Sequence, residues 1–329
     1  MEPTLDLSRW RGRPQGVGYR RWIIMSTGLR QLFALRLFRL LLSAAWSAGV
    51  AIAAIGFLFS QSVATGGWLE SLAVNFGPRA EAMVAVLGAF VVMFPDICIG
   101  GLFTLVFWGH SFIGLWLSLI VLTVMVPRLI TRDRATNALT VYLARPLTSA
   151  DYLLGKLGTI AGVLVLMWTG PLLVGWLLSM AFAADTDFLV YSLSPLLRAL
   201  AFNGIALVTL AAIALGVSAA SRIPGYTTLL WVALVVLLGT VAAPPRAPDW
   251  IKRASFTRNL NEVRQDVFRL DAALSEAGES LPLLDRRFAE NLTKAGQRVQ
   301  ATDAGGALAG LAVFVALSSI VFLRRLRAE

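Results

Sequence analysis

The residues of this chain whose types and spacing could do chemistry lie between positions 130 and 156. The triplet Arg132-Asp133-Arg134 directly follows a long apolar run, and Gly155-Lys156 directly precedes the next one. Cations just past the end of a helix interact favourably with the negative end of its dipole. Pro146 permits a sharp change of direction, after which Thr148 or Ser149 can cap a new helix. The pattern predicts a short, charged helix between two apolar elements.

The dipeptide Gly155-Lys156 does not belong to a phosphate-binding loop. Such a loop has a glycine, four further residues, and then Gly-Lys followed by Ser or Thr, so that backbone amides surround the phosphates. Here Leu157 follows the lysine, and Ala150 stands where the first glycine would be. We therefore expect no phosphate-binding loop at this position.

The other residues of the chain do not indicate a metal site or a covalent catalytic mechanism. The chain has one cysteine, Cys98, one histidine, His110, and seven scattered methionines. This set lacks the ligand spacing of a metal site, and no pair of carboxylates or Cys-His pair indicates a catalytic site. A single histidine near the end of a membrane helix is more often structural than a proton relay. We therefore expect no catalytic residue, metal or cofactor in this chain.

The elements that must position the charged segment are long and apolar. Of the 329 residues, 57% are hydrophobic and 15% are charged, and the mean hydropathy is +0.72. Soluble domains are about 45–50% apolar. Runs of about 20 apolar residues match the ~30 Å hydrocarbon core of a bilayer. The sequence predicts an all-α polytopic membrane protein with six transmembrane helices.

The predicted spans are separated by breaks in the apolar pattern. They cover residues 40–60, 108–131, 157–182, 195–220, 226–243 and 304–323. Within the third span, Gly170-Pro171 predicts a kink. We expect residues 61–107 to be external or re-entrant, and their apolar stretch Ala82–Phe107 to make no net crossing, because an odd number of crossings would place one basic terminus outside.

Residues 1–39 form a strongly basic N-terminus that contains eight arginines. In its second half, Trp22, Met25, Leu29 and Leu32 follow helical spacing among these arginines. The mixture predicts an interfacial elbow helix on the inner leaflet. A disordered basic tail that only sets the topology is the alternative.

Residues 244–303 differ in kind because acidic and basic residues occur there in near balance. Apolar residues from Val263 to Leu274 fall on one helical stripe, and a second stripe runs from Leu281 to Val299. The two stripes predict an external helical hairpin whose apolar faces pack on each other. This hairpin is either a docking surface for an external, periplasmic partner or a cap without one.

The basic residues give the predicted spans an orientation. The N-terminus, the segment 132–156 and the tail 324–329 are basic, whereas the loop after the third span is acidic. Short cytoplasmic loops carry an excess of Lys and Arg. Both termini are therefore expected in the cytoplasm, with the segment 132–156 on the same side and the hairpin 244–303 on the other.

The segment from Ile130 to Lys156 resembles the signature of the type-2 ABC transporter permeases, in the branch of the multicopper-enzyme maturation permeases. That signature combines an Arg-acid-Arg triplet, Gly-Thr, a Leu-rich turn, Ala-Arg-Pro, and Gly-Lys at the entry of the next span. The residues in register are Arg132, Asp133, Arg134, Leu139, Leu143, Ala144, Arg145, Pro146, Asp151, Gly155 and Lys156. Asn137-Ala138 replaces the Gly-Thr of the family, and Asn tolerates the left-handed backbone of a turn.

The resemblance implies a permease subunit of the bacterial inner membrane rather than an enzyme. In the family, this cytoplasmic segment is the coupling helix that docks on a separate ATPase subunit, which binds ATP and Mg²⁺. The residues that the resemblance assigns to ATPase coupling are Arg132, Asp133, Arg134, Asn137, Arg145, Pro146, Asp151, Gly155 and Lys156. A second permease copy would complete a homodimer or heterodimer. Nothing in the sequence indicates a nucleic-acid partner or a path for copper.

Two functions are open at this point. The first is the transmembrane subunit of an ABC transporter, which couples ATP hydrolysis on another chain to export or to force transmission across the membrane. The second is a non-transporting membrane scaffold or assembly factor that holds an external partner through the hairpin 244–303.

Overall fold

The computed structural model describes residues 16–63, 67–136, 148–183, 186–242, 244, 248–280 and 286–327. This part of the chain is helical and contains no strand. Its helices are α1 (Val17–Phe33), α2 (Arg36–Val63), α3 (Trp68–Phe76), α4 (Pro78–Met93), α5 (Asp96–Ala135), α6 (Ser149–Leu164, continuing through Val165–Thr169 to Gly170–Ala181), α7 (Asp187–Ala220), α8 (Pro224–Val241), α9 (Asp249–Arg253), α10 (Phe256–Phe268), α11 (Leu270–Ser280), α12 (Arg286–Val299) and α13 (Ala304–Arg327).

Six of these helices are long and apolar enough to cross a membrane: α2, α5, α6, α7, α8 and α13. The prediction of an all-α chain with six such helices is therefore confirmed. Helix α5 begins at Asp96 and α7 at Asp187, both well before the predicted spans. The predicted spans followed the most apolar stretches, whereas a helix continues past a charged end. The described residues of the predicted segment 61–107 accordingly belong to the end of α2, to α3 and α4, and to the first turns of α5.

The six long helices alternate in direction. We call the end at which α5 ends and α6 begins the lower end, and the opposite end the upper end. Helix α2 starts at the lower end and reaches the upper end, where Ser60 donates to the carbonyl of Phe182. Helix α13 ends at the lower end, since a Cβ added to Gly216 near the end of α7 would meet Ser318. The start of α2, the first of the six helices, and the end of α13, the last, therefore lie on the same side of the bundle.

Helices α5 and α7 form the centre of the bundle. In their most apolar stretches 61% of residues are buried, against 11% in α8 and 17% in the candidate span that ends on α13. Phe103 of α5 packs edge-to-face on Phe188 of α7, with ring centroids 5.0 Å apart. Exposed apolar side chains such as Leu229 on α8 and Val313 on α13 suit contact with lipid, which is as apolar as they are.

Pro171 in α6 follows a wide π-helical turn. Proline lacks a backbone N–H and so disrupts the helical hydrogen bonds of the preceding turn. Trp46 Nε1 donates to the carbonyl oxygen of Leu166 at 3.1 Å, and His110 Nε2 lies 3.1 Å from that of Trp168. The interruption predicted here is thus a wide turn in a continuous helix, and His110 contacts the backbone of that turn.

Residues 244–303 differ from the predicted hairpin in their first arm. Helix α10 lies across the upper part of the bundle and packs on α5, α7, α8 and α13, with Phe256, Leu260 and Phe268 fully buried. It ends at Arg269, whose left-handed backbone (φ 51°) divides the predicted first stripe. Helices α11 and α12 pack on each other, and α11 also contacts the first turns of α5. The apolar residues of the first arm are buried against the long helices because these offer the larger apolar surface.

Candidate functional site at the lower end of the bundle

Asp133 connects the two helices that flank residues 137–147. Its Oδ2 atom accepts a hydrogen bond from Tyr152 Oη at 2.7 Å and lies 2.7 Å from Lys156 Nζ. Tyr152 and Lys156 are one turn apart on α6, and the amine lies 5.4 Å from the centroid of the tyrosine ring. Only 18% of the carboxylate side chain and 15% of the lysine side chain are exposed. Because charge-assisted hydrogen bonds are stronger than neutral ones, this contact holds α5 and α6 together.

Asp151 organises the start of α6. The hydroxyl of Thr148 accepts a hydrogen bond from the backbone N–H of Asp151 at 3.2 Å, while the backbone N–H of Thr148 donates to the Asp151 carboxylate at 3.3 Å. This capping box makes Thr148, not Ser149, the cap. The capped helix runs unbroken from Ser149 past Lys156, so residues 148–156 form the first turns of α6 rather than a separate short helix.

The first turn of α6 is also tied to α1. Arg21 Nε donates to Asp151 Oδ1 at 2.8 Å, and Arg21 Nη2 lies 2.6 Å from the same oxygen. A Cβ atom at Gly155 would lie only 2.7 Å from Ile24 Cβ, and one at Gly158 would lie 2.9 Å from the sulfur of Met25. These glycines therefore permit the close approach of α1, as small residues do between membrane helices.

The two arginines of the triplet have different surroundings. Arg134 is 8% exposed, and its guanidinium donates to the carbonyl oxygen of Ala219 near the end of α7. A cation at this position satisfies a terminal carbonyl and interacts favourably with the helix dipole. Arg132 is exposed. Of the two guanidinium groups, that of Arg132 is therefore the one accessible to another chain.

Hydroxyl groups join the same helix ends beside the triplet. Thr131 Oγ1 donates to the carbonyl oxygen of Ser218 at 2.7 Å and lies 3.0 Å from Thr227 Oγ1. The hydroxyl of Ser218 in turn accepts a hydrogen bond from the backbone N–H of Ile130 at 2.8 Å, within the wide turn that begins at Pro127. These contacts fix the lower ends of α5, α7 and α8 relative to one another.

The structure describes most of the residues assigned to ATPase coupling by the resemblance. It brings Asp133 and Lys156 into contact and places Asp151 and Gly155 against α1. Arg134 is buried against α7, and Arg132 is exposed. The remaining three, Asn137, Arg145 and Pro146, lie outside the described residues.

Two residues of the site were missed by sequence reasoning. Tyr152 lies four residues before Lys156, and this spacing on one helix face is a signal that could have found it. Arg21 has no such signal, because 130 residues separate it from Asp151. Only the packing of α1 on α6 brings the two together.

The chemistry available at the lower end is charge pairing between helices. A cavity of about 30 Å³ beside Lys156 and Arg128 is large enough for a water molecule but far too small for a nucleotide. Among the described residues, no three His, Cys, Asp or Glu side chains lie together as metal ligands would. The described side chains of the lower end are therefore joined by ion pairs and hydrogen bonds between helices.

The helices define this chain as a multi-pass membrane protein. No protein-family model matches the sequence, and neither a curated protein nor a solved structure shows significant similarity to the chain. Its function must therefore be argued from the residues of the lower end and their contacts.

Proposed function

We propose that this chain is the transmembrane subunit of a type-2 ATP-binding cassette transporter, and that residues 132–156 dock on a separate ATPase subunit. The observation that carries the proposal is the contact of Asp133 with Tyr152 and Lys156. A segment that receives movement from a partner must be firmly joined to the helices that it moves. The Asp133 contact supplies such a joint at the base of residues 137–147, on both flanking helices.

Further contacts extend this joint to neighbouring helices. Arg134 connects the end of α5 to α7, and Asp151 connects the start of α6 to Arg21 on α1. A displacement of the segment would therefore act on four helices together rather than on a single loop. Such rigid coupling is what export, or force transmission to an external partner, would require.

The charge distribution supports a cytoplasmic position for the lower end, where ATP is available. Helix α1 and the start of α2 carry arginines, and the end of α5 and the start of α6 add further cations, whereas α3 and α7 begin with acidic first turns. Positive residues accumulate on the cytoplasmic side of membrane proteins. In this orientation α1 is an elbow helix at the inner surface of a bacterial membrane, with Tyr19 and Trp22 half exposed among arginines.

In this proposal the chain is not itself an enzyme. ATP and Mg²⁺ are bound by the partner ATPase, and two permease copies, identical or different, pair with two ATPase subunits. The chain contributes the docking segment and the helices along which substrate or force passes.

The test is recovery of the ATPase with the full-length chain from its native membranes in mild detergent. We expect a subunit with a phosphate-binding loop to co-purify and to hydrolyse ATP. Arg132→Glu should reduce its recovery about tenfold, since the substitution inverts an exposed charge of the docking segment while leaving the internal contacts intact.

A matched control is Arg325→Glu, which inverts an exposed charge on α13, outside residues 132–156. It should leave the recovery of the ATPase unchanged. The proposal fails if the wild-type chain isolates without an ATPase, or if Arg132→Glu and Arg325→Glu have the same effect.

The scaffold function has one structural observation in its favour, the helical pair α11–α12 at the upper end of the bundle. Replacing residues 270–299 by a short Gly-Ser linker removes this pair and keeps α10, which the long helices need for packing. A scaffold would lose its external partner in this variant, while a transporter would still recover its ATPase.

A further inference from the structure

A groove of about 570 Å³ lies between α5 and α8, beside α10. One wall is the face of α5 from Phe112 through Trp116 to Leu119, and the other includes Val235 and Val236 of α8. At 1.5 Å per residue, the wall from Phe112 to Leu119 is about 10 Å long. The side chains of Phe112, Trp116 and Val236 are about half exposed, so the groove opens to the surrounding membrane.

The upper rim of this groove is polar. It is formed by Thr257, Arg258 and Asn261 of α10. The rim lies close to α8, since a Cβ atom at Gly239 would be 3.4 Å from Thr257 Oγ1. Arg258 donates to the carbonyl oxygen of Ala242, just beyond the end of α8, and is held there. A polar rim above apolar walls matches a lipid molecule, whose polar headgroup lies at the membrane surface above its apolar acyl chains.

Behind the rim lies a buried arginine that pairs with no carboxylate of the described residues. Arg264 is 3% exposed, and its guanidinium lies 4.4 Å from the centroid of the Trp108 ring and 5.0 Å from that of Phe112. Its Nη2 donates to Asn261 Oδ1 at 2.7 Å, whereas Nε and Nη1 have no hydrogen-bond partner within the described part of the chain. None of the carboxylates described there forms an ion pair with it.

Within the described residues, the charge of Arg264 is therefore offset by two aromatic rings and one amide oxygen but by no carboxylate. Burial lowers the pKa of Arg264 to about 10, so the side chain still carries its charge at neutral pH. A buried charge without a partner is costly. An anion bound at the rim would offset this cost through Asn261, which touches both the groove and the guanidinium.

From the groove and this arginine together, we propose that the chain binds an anionic phospholipid. The phosphate lies at Thr257, Arg258 and Asn261, and an acyl chain follows the apolar walls towards Leu119. Two nearby arginines favour a headgroup with net negative charge over a zwitterionic one, whose ammonium group they would repel. The inference does not depend on the proposed transporter function, because the groove is lined by the middle of α5 and Leu119, its lowest residue there, lies about 20 Å along the helix from Arg132.

The test is native mass spectrometry of the full-length chain in detergent, titrated with phosphatidylglycerol or with phosphatidylcholine of the same acyl chains. The wild type should bind phosphatidylglycerol about tenfold more tightly, because the arginines repel the ammonium group that only phosphatidylcholine carries. Arg264→Met should remove most of this preference. Val236→Trp fills the groove and should weaken binding of both lipids.

The control is Arg287→Met, which removes an exposed arginine on α12 outside the groove and should change nothing. Thermal unfolding without lipid distinguishes a role of Arg264 in lipid binding from a purely structural role. There Arg264→Met should be as stable as the wild type or more so, because it removes a buried charge that has no ion-pair partner among the described residues.

Equal binding of the two lipids by the wild type would overturn the proposal. So would a Val236→Trp protein that binds phosphatidylglycerol as tightly as the wild type, and these two results decide the matter even if Arg264→Met does not fold. A folded Arg264→Met protein that keeps the full preference would overturn the proposal as well.

Discussion

Removal of the ion pair between Asp133 and Lys156 should loosen the joint between α5 and α6 by a measurable free energy. We consider Asp133→Asn, Lys156→Met and the double variant. Asp133→Asn keeps an acceptor for the Tyr152 hydroxyl but removes the negative charge, and Lys156→Met keeps the length of the side chain but removes the positive charge. The cycle therefore isolates the interaction between the two charges.

The expected magnitude follows from the partial burial of the pair. With 18% and 15% of the side chains exposed, the contact is stronger than a surface ion pair but weaker than a fully buried one. Each single substitution should lower the free energy of unfolding by about 2 kcal/mol. The coupling energy from the cycle should be about 1–2 kcal/mol.

Reversible unfolding in mixed micelles, followed by circular dichroism, gives these free energies. The matched control is the pair of Lys252 and Asp249, whose atoms are 3.1 Å apart but whose carboxylate side chain is 88% exposed. Its coupling energy should not exceed about 0.5 kcal/mol. If the Asp133–Lys156 cycle also gives less than about 0.5 kcal/mol, the two charges act independently and the reasoning about the joint is refuted.

Three further outcomes are expected from other contacts. Gly155→Ala should lower the free energy of unfolding by about 1–3 kcal/mol and speed proteolysis between α1 and α2, because the new Cβ atom collides with Ile24. The control Gly204→Ala should do neither, because its Cβ atom has no neighbour within 4 Å. Glu262→Gln should reduce the loss of stability on acidification from pH 7 to 3 in an unfolding titration. Burial raises the pKa of Glu262, but hydrogen bonds from residues 302 and 303 outweigh this effect and leave the pKa below its ordinary 4.5. The ionised carboxylate therefore stabilises the fold at neutral pH, and this stabilisation is lost as the pH falls through the lowered pKa. Trp46→Phe should cost about 1 kcal/mol in the same unfolding assay, through the lost hydrogen bond to the backbone of α6.

The helical class and the number of long apolar helices could be predicted from the sequence because hydrophobic runs report membrane helices directly. The wide turn before Pro171 was predictable as an interruption, since proline removes a backbone donor. The first residues of α5 and α7 could not be predicted, because a helix continues beyond the hydrocarbon core without an apolar signal.

The contacts of the lower end were harder to predict than its residue types. The charged segment was evident from its position between two apolar runs, but nothing in the sequence links Asp151 to Arg21. Helix α10 was mistaken for one arm of a hairpin because Val263 and Val267 fit an amphipathic stripe equally well against α12 or against the long helices. Periodicity identifies which face of a helix is buried, but it does not identify the surface that covers it.

Natural variation in this chain should follow the uneven burial of its long helices. Central positions such as Leu122 and Phe202 are enclosed by protein, so relatives should conserve side-chain volume there as well as polarity. Around α8 and α13 the neighbours are lipid molecules, which adapt to any apolar shape, so Leu, Ile, Val and Phe should exchange freely at positions such as Leu229 and Val313. Relatives should therefore diverge at two rates within one membrane domain, slowly along its central helices and rapidly along its periphery.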